Sequence, residues 1–141
     1  MTTSDAQAAA QWELCKLVDE LDLRITAHVR ERVARIGLTP AQATALRELT
    51  GPMTMSELAG RMSCEPSNAT VVIDKLESQQ LIERRPHPSD RRAKQLSLTP
   101  EGAECREKLL RILREEPPLA SLTEQEQGAL QDLLRRALSR H

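Results

Sequence analysis

The residues best suited to act on another molecule are cations. Arg84, Arg85, Arg91, Arg92 and Lys94 fall within eleven positions, opposed there only by Asp90. Such a cluster can neutralise phosphates, while the first turn of a nearby helix can offer hydrogen-bonding groups to base edges. Ser67, Asn68, Thr70 and Val71 stand at such a turn, and Lys75 lies one turn further on. Ser67 and Asn68 can donate and accept. Thr70 offers a hydroxyl and a methyl, and Val71 can meet only apolar groups such as a thymine methyl. A basic run is ordinarily a solvated surface, and Ser67 and Asn68 can equally well cap their helix. Placement decides between these readings.

Other reactive types are scattered. Cys15, Cys64 and Cys105 are odd in number and far apart, and His28, His87 and His141 do not stand at metal-ligand spacing. No metal, disulfide framework or cofactor is expected, and a reducing cytoplasm is the default compartment. Cys15 lies beside an apolar stripe and reads as core packing, with oxidant sensing as the alternative. Cys64 should be the more exposed thiol, and Cys105 should pack. No glycine loop that would cradle phosphates occurs among the five glycines, so no enzyme is expected.

The elements that must position these residues are helical. The chain has 141 residues, 39% hydrophobic and 29% charged, with a net charge of −1, one Trp and no Phe or Tyr. That balance suits one globular domain, and the scarcity of aromatics disfavours large sheets. No apolar run approaches the ~20 residues of a membrane span, and the N-terminus lacks the basic start of a secretory signal. Net charge excludes a uniformly basic coat but not a local basic patch.

Leu14, Val18, Leu21, Ile25, Val29, Val33 and Ile36 recur at steps of three or four, predicting an amphipathic helix over about 6–36 that Gly37 ends. Thr39-Pro40-Ala41-Gln42 and Thr54-Met55-Ser56-Glu57 are capping boxes that open two further helices. A tight connection from Ser63 leads to a helix from Pro66 to about Gln79, with Ala69, Val72, Ile73 and Leu76 inward. This is a helix-turn-helix pattern. Leu81–Arg85 and Lys94–Leu98 read as the two strands of a hairpin with a basic tip, a wing. Thr99-Pro100 starts a helix to about Glu116, in which Arg106 reads as a solvated surface ion pair. Thr123 and Glu126 open a last helix striped with Leu130, Leu133, Leu134, Ala137 and Leu138.

Asp90-Arg91-Arg92 through Leu98-Thr99 to Gly102 resembles the wing signature of the MarR family of transcriptional regulators, and Met55–Arg85 resembles its helix-turn-helix. The resemblance runs the length of the chain and is most specific over 54–102. It implies a mainly α fold with a small β-hairpin wing, 38–99 forming the DNA-binding lobe and 1–37 with 100–141 the dimerisation helices. It implies a cytoplasmic homodimer on a pseudo-palindromic operator in double-stranded DNA, most often a repressor released by a small molecule, with no membrane partner. Ser67, Asn68, Thr70, Val71 and Lys75 would then face the major groove. Arg92 would enter the minor groove, steadied by Asp90, and Arg84, Arg85, His87 and Arg91 would lie near phosphates. Trp12, Arg24 and His28 are placed by the same analogy near an effector cleft. Many members carry a basic residue where Val71 stands, which removes part of the usual readout. The alternatives are a winged-helix module that binds protein and a thiol-based redox-sensing regulator.

Overall fold

A computed structural model describes residues 3–90 and 92–139. Chain order is α1 (Thr3–Ala34), α2 (Pro40–Glu48), α3 (Met55–Met62), α4 (Pro66–Ser78), β1 (Ile82–Pro86), β2 (Lys94–Leu98), α5 (Pro100–Leu113) and α6 (Glu124–Ser139). The mainly helical architecture with a two-stranded wing is the one expected. Boundaries move by a few residues. α1 closes at Ala34, with Gly37 at φ 74° in the turn that follows, and α5 stops at Leu113 rather than reaching the two prolines.

The helix starts follow from side-chain caps. Thr39 Oγ1 accepts the N–H of Gln42 and Gln42 Oε1 accepts the N–H of Thr39, a reciprocal box repeated by Thr54 with Glu57 and by Thr123 with Glu126. Each box satisfies donors that a helix N-terminus otherwise leaves open. Thr99 caps α5 by accepting the N–H of Gly102 at 2.9 Å.

The chain forms two compact units. One is the chain up to His28 and from Glu116 onward; the other is Val29–Glu115. The second unit holds the core. Val33, Leu46, Leu49, Leu58, Ile73, Leu76, Ile82, Leu96 and Leu109 are fully buried there. The amphipathic spacing of α2, α3 and α4 therefore converges on one interior, as their periodicity requires. β1 and β2 pair antiparallel with Ile82 opposite Leu98 and Arg84 opposite Leu96. Met53, in the connection between α2 and α3, adds a bridge of two hydrogen bonds to Leu96, at 2.7 and 3.1 Å. The root of the wing is thus tied to the helix-turn-helix by backbone.

The first unit is different. Trp12, Leu14, Leu17, Val18 and Leu23 on α1, and Leu133, Leu134 and Leu138 on α6, are exposed in the single chain. No helix among the described residues is long and apolar enough to cross a membrane.

Candidate nucleic-acid interface

α4 begins with Pro66 in the first turn, and its N-cap is Glu65, whose side chain makes no cap bond. Ser67 and Asn68 therefore do not cap the helix; they are exposed on its first turn. The Thr70 hydroxyl donates to the Pro66 carbonyl at 2.9 Å, so its donor is used within the helix while its oxygen can still accept. Val71 is 70% exposed, a large apolar side chain open to solvent on the outer face of α4. Val71, Asp74 and Lys75 line one open groove with Thr39, Gln42 and Val72.

The wing is held by local bonds at its tip. His87 Nδ1 accepts the Ser89 N–H at 3.1 Å, and the His87 N–H reaches the Ala93 carbonyl at 3.1 Å. Asp90 Oδ1 accepts the backbone N–H of Arg92 at 3.0 Å. Asp90 thus steadies Arg92 through its backbone N–H rather than at the guanidinium. Among the described residues that guanidinium makes no ion pair, and Arg92 is exposed. Arg91 lies outside the described residues.

The remaining cations are placed differently from one another. Arg85 pairs with Glu83 at 2.7 Å and remains 71% exposed. Arg84 turns to α4, where its guanidinium meets Asp74 and, at 3.2 Å, Glu77. The sequence places it beside a phosphate, whereas in this structure its charge is taken up by two carboxylates. Arg106, expected as a solvated ion pair, instead donates to the carbonyls of Leu46 and Arg47, both at 3.1 Å. It thereby satisfies the orphan carbonyls at the end of α2. Spacing could not reveal either role, because both partners are distant in the sequence.

The effector positions are not brought together within the chain. Trp12, Arg24 and His28 all lie on α1, where sixteen residues span about 24 Å. Arg24 pairs with Glu20 at 3.2 Å, Trp12 is 70% exposed and His28 is half-buried. The thiols also depart from expectation. Cys15 is exposed in the single chain rather than packed, and Cys64 is half-buried. Burial pushes the Cys105 thiol pKa up, with Lys108 opposing. Among the described residues no three His, Cys, Asp or Glu side chains gather as a metal site.

Residues 38–94 match the family model described as the MarR family. The chain is 41% identical over 81 residues to the HTH-type transcriptional repressor MdtR of Bacillus subtilis (strain 168), covering 56% of this chain and 52% of that protein. It is 32% identical over 105 residues to the uncharacterised HTH-type transcriptional regulator YkoM of the same organism, covering 72% and 68%. The match thus spans about half the length of the first relative and about two thirds of the second. Among solved structures, a cysteine-to-serine mutant of E. coli MarR complexed with operator DNA aligns with a TM-score of 0.79 at 25% identity, over 89% of this chain and 94% of that one.

Proposed function

The chain belongs to the MarR family of transcriptional regulators, and on that premise we propose that it binds a specific operator in double-stranded DNA as a homodimeric repressor. The observation that carries the reading is the free edge of α4. Ser67 and Asn68 are exposed and uncommitted to capping, in the same unit as a wing tip whose Arg92 guanidinium is unpaired among the described residues. A helix first turn beside a basic hairpin suits major-groove base contacts together with a minor-groove arginine. The similar E. coli MarR mutant, solved in complex with operator DNA, supports operator binding as the activity.

Residues 38–99 serve as the DNA-binding lobe, and 1–37 with 100–141 as the dimerisation helices. The exposed leucines of α1 and α6 support this division, since such stripes call for a partner surface. A two-fold dimer matches a pseudo-palindromic operator. Family membership also supports release by a small-molecule effector and action in the cytoplasm, where the DNA lies.

The test is a titration of the intact chain against fragments flanking its own gene, with random-sequence duplex as the competitor. Binding to one fragment at least about a hundredfold tighter than to random duplex is expected, weakening steeply with salt. Equal affinity for both would overturn the reading.

A further inference from the structure

Arg84 stands two residues after the buried anchor Ile82 on β1, so both side chains lie on one face of the strand. That face meets α4. The Arg84 guanidinium donates through Nη2 to Asp74 Oδ1, and its Nε forms an ion pair with Glu77 Oε1 at 3.2 Å. Asp74 and Glu77 are three residues apart and therefore neighbours on the helix surface. One planar guanidinium spans both, a geometry that a lysine ammonium cannot reproduce.

Asp74 is the awkward member of this trio. It lines the same groove as Val71 and Lys75, on the helix proposed to read DNA, and its side chain is 59% exposed. An unpaired carboxylate there would repel the phosphates that Lys75 attracts. Arg84 is the more buried partner, 32% exposed, so it is poorly placed to leave for a phosphate.

We propose that Arg84 is a positioning residue of the DNA-binding site, which neutralises Asp74 and Glu77 on α4 and locks the wing to that helix. Phosphate contact then falls to other cations, such as Arg85 and Lys75. The proposal rests on the DNA-binding reading above and changes the role of one residue within it.

The experiment compares intact wild type with Arg84→Gln, Asp74→Asn, and the two combined, by titration against the operator fragment over a range of salt. Arg84→Gln is expected to weaken binding about tenfold. Adding Asp74→Asn should recover most of that loss. A charge-matched control, Arg84→Gln with Glu107→Gln on the exposed face of α5, should recover none. Should Arg84→Gln fail to fold, Arg84→Lys replaces it, with a smaller loss that Asp74→Asn again recovers.

A direct phosphate contact predicts a different pattern: the loss persists, and Asp74→Asn rescues no more of it than Glu107→Gln does. Either that pattern or wild-type affinity for Arg84→Gln would overturn the proposal and leave the DNA-binding reading standing. Failure of wild type itself to prefer the operator would overturn both.

Discussion

The Asp90 carboxylate accepts the backbone N–H of Arg92 at 3.0 Å, so the aspartate sets the direction in which the arginine leaves the wing. An asparagine oxygen can accept the same bond, whereas alanine cannot. On the operator fragment, Arg92→Ala should cost about 1–3 kcal/mol per half-site, the scale of a good specific contact. Asp90→Ala should cost less, and Asp90→Asn should bind like wild type. If Asp90→Asn proves as weak as Asp90→Ala, the carboxylate charge matters and the backbone role is wrong.

Arg106 holds the end of α2 through two carbonyls. Hydrogen bonds from a charged donor contribute about 1.5–3 kcal/mol each where burial removes competing water, and less for this half-buried side chain. Arg106→Ala should therefore destabilise the fold by roughly 1–3 kcal/mol in denaturant unfolding. Arg111→Ala, exposed on the same helix, should stay within about 0.5 kcal/mol. Equal midpoints for the two variants would dismiss the capping role.

Gly102 admits no side chain. A Cβ there would sit 1.9 Å from the Leu81 carbonyl oxygen, which itself accepts the Thr99 N–H at 3.1 Å. The obstacle is backbone and cannot swing aside. Gly102→Ala should cost roughly 3 kcal/mol, at the upper end for overpacking, and lower the thermal midpoint accordingly. An unchanged midpoint would mean that α5 and the start of the wing slide apart freely.

The stripe of α6 leaves Leu133, Leu134 and Leu138 exposed in one chain. Light scattering at micromolar concentration should return the mass of two chains. Removal of 123–141 should abolish the soluble dimer. A one-chain mass for the intact protein would refute the assignment of α1 and α6 to dimerisation.

The Glu57 carboxyl is held below the usual carboxylate range, first by the Thr54 backbone N–H, then by the Thr54 side chain, and further by Arg61 and His87. A folded pKa below the unfolded one means stability that is present above the unfolded value and lost as pH falls through the folded one. Unfolding of wild type and Glu57→Gln should therefore converge as pH drops below about 4.3, the ordinary glutamate value. A gap that stays constant from about pH 6 to about pH 3 would show that the charge of the box contributes nothing.

Much of the fold was legible because its signals are local. Thr39 with Gln42, Thr54 with Glu57 and Thr123 with Glu126 close over three residues, and no distant contact is needed to make those bonds. Hydrophobic spacing likewise marked Ala69, Ile73 and Leu76 as the inner face of α4, and all three are buried. The alternation of Lys94–Leu98 announced the returning strand.

Amino-acid order alone thus determined where helices start, which faces of α2, α3 and α4 turn inward and that a basic hairpin follows a helix-turn-helix. Tertiary structure decided which partner each long charged side chain takes. Arg84 meets Asp74 ten residues back, Arg106 meets Leu46 sixty residues back, and Met53 bridges to Leu96. It also left Cys15 exposed, beside Leu14 and Val18, which are exposed in the single chain. The reason is reach and specificity. A cap's partner is set by three residues of helix geometry, whereas a guanidinium on a flexible stem binds whichever oxygen the packed core carries within about 3 Å of it.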